Sequence, residues 1–211
     1  MKLENRERNN VFKVYDKVAD WYAENRDSSL SEKKYLDEVI KLIPAEGKIL
    51  DLGCGNGKPI LEYLINAGFE VTGVDASVKL LEQAKINFPD VAFVLEDMRK
   101  LQLGKAFDAI IAWHSFFHLP AVDQHKMFNV FANHLRENGI LMFTSGTEEG
   151  EAWGLINGAH LHHASLHSES YRSILMENNF IILKHCVNDE NCGGATVWMA
   201  QYSPDLDGDE G

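Results

Sequence analysis

The sequence predicts an α/β fold in which a mostly parallel sheet lies between two layers of helices. The first observation is an apolar run that leads into a glycine-rich turn and a helix start at 49–59. The second is the alternation of strand and helix patterns after that turn. The third is a turn-rich linker at 188–194 between the last two apolar segments. This linker suits a hairpin, so the last strand is expected to run against its neighbour at the edge of the sheet.

The segment 49–59 reads I-L-D-L-G-C-G-N-G-K-P. Its apolar start suits a strand covered on both faces, its glycines allow a sharp bend close to a ligand, and Pro59 suits the first turn of a helix. A dinucleotide fingerprint would need a glycine where Lys58 stands. Asp51 ahead of the first glycine suits a cation, such as an amino group, better than a pyrophosphate. The alternative is an ordinary strand-to-helix turn without a ligand.

The remaining elements follow from periodicity. Strands are predicted at 69–74, 91–95, 107–112, 140–144, 180–183 and 195–200. Helical spacing is clear in Leu80, Leu81, Ala84 and Phe88, and again in Met127, Val130, Phe131 and Leu135, with Gly139 expected to end the second of these helices. Ser31 and Ser168 are expected to open helices, an earlier helix carries Phe12, Tyr15, Val18, Ala19 and Tyr22, and 146–167 is expected to form a loop.

Composition limits the function classes. A length of 211 residues suits one well-buried domain, and the net charge of −12 without a Lys/Arg block argues against nucleic acid and anionic membranes as partners. No apolar run is long enough for a membrane span, and the N-terminus lacks a signal-peptide core. The cysteines, Cys54, Cys186 and Cys192, read as reduced thiols. A cytoplasmic protein is predicted.

Two further acidic positions follow predicted strands. Asp75 lies about 20 residues past the glycines, where a carboxylate can accept hydrogen bonds from both ribose hydroxyls. NAD sites share this acid, and a turn acid that caps the next helix is an alternative reading. Asp97 and Met98 end the third strand, where a side chain and a backbone N–H can meet an adenine edge, or where Asp97 is simply solvated.

These features together resemble the class I S-adenosylmethionine-dependent methyltransferase family of the small-molecule type, whose first motif is an acidic strand end followed by G-x-G-x-G. The segment 14–22 is also similar to the family's Tyr-Asp-x-x-Ala-x-x-Tyr opening. The resemblance runs from Tyr15 to Ala200. It implies a three-layer, Rossmann-like, seven-stranded and mostly parallel sheet with a C-terminal antiparallel hairpin strand. The expected organisation is an N-terminal helical cap over the cofactor site at 1–43, a methyltransferase core at 44–202 and an acidic disordered tail at 203–211.

The resemblance also implies the cofactor, S-adenosyl-L-methionine, and the residues around it. Asp97 would take the adenine amino group and Met98 a ring nitrogen, the segment after the fourth strand would meet the methionine end, and Tyr15 and Tyr22 would be lid contacts to its carboxylate or sulfonium region. A buried helical stripe explains the two tyrosines equally well. The predicted cofactor-binding residues are Tyr15, Tyr22, Asp51, Gly53, Cys54, Gly55, Gly57, Asp75, Ala76, Asp97, Met98, Ala112 and Trp113.

His114 faces the reaction centre in this reading and is the candidate general base, whereas His118 is assigned a structural role. The histidine-rich segment 151–167 is the predicted acceptor site, with a solvated polar lid as the alternative. Its histidine spacing matches no dedicated zinc motif, so no metal is expected. The predicted function is methyl transfer to a small molecule, neutral or cationic, by a monomer or homodimer. The alternative is a non-catalytic S-adenosylmethionine-binding or partner-binding protein on the same fold.

Overall fold

The computed structural model describes residues 8–204. Two helices, α1 (Phe12–Asn25) and α2 (Lys33–Leu42), precede the first strand. The helices and strands that follow are β1 (Lys48–Leu52), α3 (Ile60–Asn66), β2 (Glu70–Asp75), α4 (Val78–Asn87), β3 (Ala92–Leu95), β4 (Phe107–Ala112), α5 (Ala121–His134), β5 (Leu135–Ser145), β6 (Gly150–Ile156), β7 (Ala159–Ser165), α6 (Ser168–Glu177), β8 (Phe180–Asp189) and β9 (Ala195–Tyr202).

Seven strands form one sheet in the order β3-β2-β1-β4-β5-β9-β8. Strands β1 to β5 are parallel to one another, and β9 pairs antiparallel with both β5 and β8. The predicted fold class is therefore confirmed. One detail of the prediction is wrong. The reversed strand, β9, is second from the edge of the sheet, because β8 lies outside it and forms the edge.

The sheet separates two apolar layers, as expected when successive strand residues point to opposite faces. Ile49 packs with α2, α3 and α4 on one face. Leu50 and Leu52 pack with α5 and α6 on the other. Both faces of β4 are covered, and all six of its residues are buried. This double coverage is typical of a parallel sheet and leaves the strand ends as the place for a ligand.

The segment predicted as a loop, 146–167, contains a β-hairpin instead. Strands β6 and β7 pair antiparallel from Gly150↔Ser165 to Ile156↔Ala159. Their connection is Asn157-Gly158, with φ angles of 45° and 76°. Two residues with positive φ form the tight turn that matches the twist of a hairpin, so this dipeptide was the signal that the loop prediction overlooked.

The helix boundary before β5 also differs from the prediction. Helix α5 ends at His134, so Leu135 opens the strand and Gly139 lies inside it. Asn138 has a φ of 63°, and the pairing between β4 and β5 shifts register ahead of Ile140. Gly139 therefore belongs to an irregularity in the strand and does not end the helix.

The two N-terminal helices occupy different places. Helix α1 contacts α4 and β7, whereas α2 buries Tyr35, Leu36 and Val39 in the core on one face of the sheet. Of the two helices described in the segment predicted as a cap, α1 lies over the strand ends and α2 does not. Most of the predicted acidic tail lies outside the described residues.

Candidate active site

A cavity lies beyond the carboxyl ends of the parallel strands, beneath α1. It encloses about 940 Å³ between the protein atoms, with its open mouth included. This size is in the range of small-molecule sites. Of the predicted cofactor-binding residues, it is lined by Tyr15, Tyr22, Asp51, Gly53, Cys54, Gly55, Asp75, Ala76, Asp97, Met98 and Trp113, together with the predicted catalytic His114. Gly57 and Ala112 are not part of this lining.

The glycine loop brings the ends of β1 and β4 together. Gly53 has a φ of 82°, and a Cβ built there would lie 2.2 Å from the Ser115 Cβ atom. The Ser115 hydroxyl donates a hydrogen bond of 2.6 Å to the Leu52 carbonyl. Only glycine satisfies both the positive φ and the close approach, so Gly53 lets the segment after β4 reach the loop.

Asp75 is oriented by backbone donors before any ligand binds. Gly55 N–H donates to its Oδ2 atom and Ser77 N–H donates to its Oδ1 atom, each over 2.8 Å. Burial raises the pKa of this carboxyl despite those bonds. A carboxylate has about four acceptor sites, so Asp75 keeps capacity for a hydroxyl donor beyond these backbone bonds.

Asp51 lies at the end of β1 and is only 3% exposed. Burial raises the pKa of Asp51 to about 7, the nearby charge of Asp75 adds to that effect, and the charge of Arg26 opposes it. A buried carboxylate that resists ionisation is stabilised when a cation binds beside it.

Asp97 has a partner that the sequence did not suggest. The Arg99 guanidinium donates from Nε to Oδ1 over 2.9 Å and also pairs with Asp123. Burial opposes the charged form of Asp97, but the bonds and charge of Arg99 outweigh it and hold its pKa below the usual value. Arg99 therefore uses part of the acceptor capacity that the prediction assigned to an adenine amino group.

Arg26 is a lining residue that sequence reasoning missed. Its Nε donates to the Lys58 carbonyl over 3.1 Å, and its guanidinium lies 5.7 Å from the Tyr22 ring centroid. The available signal was spacing, because Arg26 stands four residues after Tyr22 and so shares its side of the helix end. Arg26 adds a positive charge to the cavity wall.

His114 stands at the end of the cavity next to β4 in a left-handed backbone conformation, with a φ of 48°. Its N–H donates to Thr144 Oγ1 over 2.9 Å, and its ring lies 5.2 Å from that of Trp113 and 5.7 Å from that of Phe117. The ring keeps accessible surface toward the cavity. Burial among the surrounding atoms, followed by the charge of Arg26, lowers the pKa of His114 to about 4. The imidazole is therefore neutral at physiological pH.

The β6–β7 hairpin adjoins this end of the cavity. The His163 ring lies 4.8 Å from that of His118 and 5.2 Å from that of Phe117. Phe117 and His163 also line a second, more open groove of about 750 Å³, with Glu148, Glu149 and Glu151 at its rim. The predicted acceptor segment thus borders a groove of its own, and His163 contacts a residue of the main cavity.

The histidines of segment 151–167 lie along β7 and just before α6. His160 and His162 both face Trp153, at ring distances of 6.5 Å and 5.1 Å. His163 and His167 do not share a helix, because His163 lies in β7 and α6 begins at Ser168. Within residues 8–204, no group of three or more His, Cys, Asp or Glu residues is placed to hold a metal ion.

Part of the chain matches a known protein family. Residues 49–139 match the family model described as a methyltransferase domain. Residues 49–139 therefore form a methyltransferase domain, and the structure has the fold of the class I S-adenosylmethionine-dependent methyltransferases. The matched residues span β1 to β5 and include the glycine loop, Asp75, Asp97 and His114. The resemblance predicted from the sequence is confirmed at the level of the family.

Individual relatives agree with this assignment. A putative methyltransferase 235L of Invertebrate iridescent virus 6 is 30% identical over 155 residues, which cover 69% of this chain and 56% of that protein. The chain spans about half the length of the curated relatives it matches.

Solved structures show the same fold. An S-adenosylmethionine-dependent methyltransferase from Clostridium acetobutylicum superposes with a TM-score of 0.69 at 15% identity, covering 90% of this chain and 97% of that one. CalS10, an amino pentose methyltransferase from Micromonospora echinaspora, also gives a TM-score of 0.69 at 15% identity, covering 88% of this chain and 95% of that one.

In residues 8–204, no helix is both long and apolar enough to cross a membrane.

Proposed function

We propose that this protein transfers the methyl group of S-adenosylmethionine to a small-molecule acceptor. The observation that supports this most strongly is the convergence of Asp51, Asp75 and Asp97 on one cavity from the ends of three adjacent strands. We expect each acid to meet a different part of one extended ligand. The cavity volume of about 940 Å³, open mouth included, lies in the range of small-molecule sites.

Each part of the cofactor has residues suited to hold it. Asp75 suits the two ribose hydroxyls, since its carboxylate is held in place by two backbone donors. Asp51 suits the ammonium group, whose charge favours the ionised carboxylate. Arg26 and Tyr22 are the donors suited to the methionine carboxylate. Asp97 and Met98 lie at the end suited to adenine.

The other proposed contacts surround these groups. Gly53, Cys54 and Gly55 are expected to approach the ligand through their backbone, and Ala76 and Trp113 through the cavity wall. Gly57 and Ala112 are expected to act indirectly, through the loop and the strand that carry the lining residues.

The protein has little covalent chemistry to perform, because the sulfonium methyl is already activated when the cofactor is bound. Its residues are needed to align the acceptor and to exclude water. The neutral His114 ring suits a hydrogen bond from a protonated acceptor atom.

The acceptor is proposed to be a neutral or cationic small molecule that approaches beside the hairpin. Glu148 and Glu149, which line the second groove, support this polarity, since they repel anions. A cytoplasmic location, a monomer or homodimer, and the absence of a nucleic-acid partner stay predictions.

The test is a screen for turnover. Small amines, phenols, thiols and carboxylates are incubated with the protein and S-adenosylmethionine, and S-adenosylhomocysteine is measured over the background without acceptor. Product with an amine, phenol or thiol supports the proposal. Binding of the cofactor without product from any acceptor class would instead support a non-catalytic cofactor-binding protein.

A further inference from the structure

Helix α1 and the residues just before it form one wall of the cavity. The lining residues from this part of the chain are Asn9, Val11, Phe12, Tyr15, Tyr22 and Arg26. A ligand bound in the cavity lies beneath them. Its entry and exit therefore depend on how firmly this wall is attached to the rest of the protein.

The β6–β7 hairpin contacts this wall through a small apolar cluster. Val11 and Val14 pack with Leu161 of β7, and the three residues are only 6%, 2% and 7% exposed. Ile156 and Ala159, on either side of the hairpin turn, pack against them. The cluster is separate from the two apolar layers of the main sheet. Because it is small and separate, it can open while the core stays packed.

Polar contacts join the same two parts of the chain. The Arg8 guanidinium forms an ion pair with Glu151 of β6, whose Oε2 atom lies 3.3 Å from His162 Nε2. The Tyr15 hydroxyl lies 2.9 Å from His118 Nε2, and His118 Nδ1 donates to the His162 carbonyl oxygen over 2.9 Å. His118 thereby connects α1 with β7.

The opposite face of α1 is attached to α4. With 3.6 residues per turn, Asp16 and Asp20 lie on the helix face away from Val11 and Val14. Asp16 accepts hydrogen bonds from the Ser77 hydroxyl over 2.7 Å and from a backbone N–H in the first turn of α4 over 3.2 Å. A helix N-terminus favours a carboxylate at this point. Helix α1 thus spans the cavity from α4 to the hairpin.

We propose that the β6–β7 hairpin is a clasp that holds α1 over the cavity, and that α1 separates from Leu161 and Glu151 whenever the cofactor enters or leaves. This inference rests on the proposed function for the identity of the ligand. It assigns the hairpin a role that is distinct from contact with the methyl acceptor. Entry and exit both pass through the open state, so loosening the clasp speeds both of them.

The first test measures the rates of ligand exchange in Leu161→Ala. Among residues 8–204, the cavity lining does not include Leu161, so the variant loosens the clasp without removing a wall residue. Stopped-flow tryptophan fluorescence with S-adenosylhomocysteine should show association and dissociation rate constants that both rise about 5- to 20-fold, with affinity within about threefold of wild type. Wild-type rates would overturn the inference. Faster dissociation without faster association would also overturn it, because that result indicates a damaged cavity.

Leu155→Ala is the matched control. Leu155 lies in β6 opposite His160, on the other face of the hairpin from Leu161, and is 70% exposed. The same truncation at this position should leave both rate constants at the wild-type values. An increase equal to that of Leu161→Ala would contradict the clasp, since the contact with α1 would then be irrelevant.

A charge exchange tests the ion pair of the clasp. Arg8→Glu places two carboxylates together and should raise both rate constants about 2- to 5-fold. Adding Glu151→Arg reverses the pair and should return the rates toward wild type. Faster exchange that the second substitution does not correct would show that the Arg8–Glu151 pair does not hold α1.

Hydrogen exchange followed by mass spectrometry tests the clasp without any ligand. In Leu161→Ala, the amides of α1 should exchange about tenfold faster than in the wild type, while those of α2 keep their rates. Equal acceleration in both helices would indicate general destabilisation and would count against the clasp. If the wild-type protein binds neither S-adenosylmethionine nor S-adenosylhomocysteine, the proposed function fails and this measurement still decides whether the hairpin holds α1. If it binds both and Leu161→Ala leaves the ligand rates and the α1 amides unchanged, the inference fails alone.

Discussion

At the residue scale, Asp51 connects burial to ligand binding most directly. Its carboxyl has a pKa of about 7, raised chiefly by burial, so near neutral pH it is partly protonated while the cavity is empty. An ammonium group beside it favours the ionised form. Binding of a cationic ligand and loss of a proton from Asp51 are therefore linked.

This linkage predicts a pH dependence of cofactor binding. Between pH 5.5 and 7, affinity for S-adenosylmethionine should rise with pH, by up to about tenfold per unit, because fewer molecules then need to lose the Asp51 proton. Titrations near pH 6.5 in two buffers with different ionisation enthalpies should detect proton release. Asp51→Asn should bind more weakly and without that release, and a wild-type protein that binds without releasing protons would refute the role of Asp51.

His114 carries a second prediction at this scale. Its low pKa means that its protonation does not change between pH 6 and 8, so turnover should lack a His114 ionisation in that range. His114→Asn is preferable to His114→Ala as a first variant, since asparagine tolerates the positive φ. We expect cofactor affinity within about threefold of wild type and turnover about 10²-fold lower with an acceptor found by the screen. Turnover at the wild-type rate would show that His114 is a bystander.

The sequence predicted Asp51, Asp75 and Asp97 because each ends a recognisable strand, and strand ends converge in a parallel sheet. It did not predict Arg26 or the Arg99 pairing with Asp97. Arg99 stands only two residues after Asp97, but both arginines also make contacts with residues distant along the chain, Arg26 with the Lys58 carbonyl and Arg99 with Asp123. Local spacing carries no record of such contacts.

At the element scale, the glycine loop depends on packing as well as on backbone freedom. A Cβ at Gly57 would lie 2.7 Å from the Phe88 ring, whereas a Cβ at Gly68 would meet no atom within 4 Å. The two glycines have similar φ angles of 83° and 92°. A side chain at either position should therefore cause a similar backbone strain, and only a side chain at position 57 would also clash with a neighbouring residue.

Alanine at these two positions tests that distinction. Gly57→Ala should lower the free energy of unfolding by about 1–3 kcal/mol more than Gly68→Ala does. The comparison is made by urea unfolding of the two variants beside the wild type. Equal losses would show that Phe88 moves aside at no cost and that backbone strain alone selects glycine here.

The hairpin illustrates what element prediction can miss. Asn157-Gly158 is a strong local signal for a two-residue turn. The histidines at 160, 162, 163 and 167 indicate polar chemistry in this segment but do not indicate its secondary structure. The packing of Leu161 with Val11 and Val14 of the N-terminal segment links residues about 150 positions apart, and no local pattern reports it.

At the scale of the whole molecule, two apolar layers leave one functional edge. The helices cover both faces of the sheet, so the carboxyl ends of β1 to β4 open into a space beneath α1. The sequence predicted this edge from alternating strands and helices. It did not predict that Phe117 and His163 would contact each other and line a second, acidic groove. The acceptor side was therefore the least predictable part of the site.

Calorimetric titration of the wild-type protein with S-adenosylmethionine and with NAD tests which cofactor the cavity holds. We predict binding of S-adenosylmethionine at one site per chain, no binding of NAD, and affinity weakened by roughly 1–3 kcal/mol in Asp75→Ala, which loses the acceptor for the ribose hydroxyls. Failure to bind S-adenosylmethionine, or wild-type affinity in Asp75→Ala, would contradict this prediction.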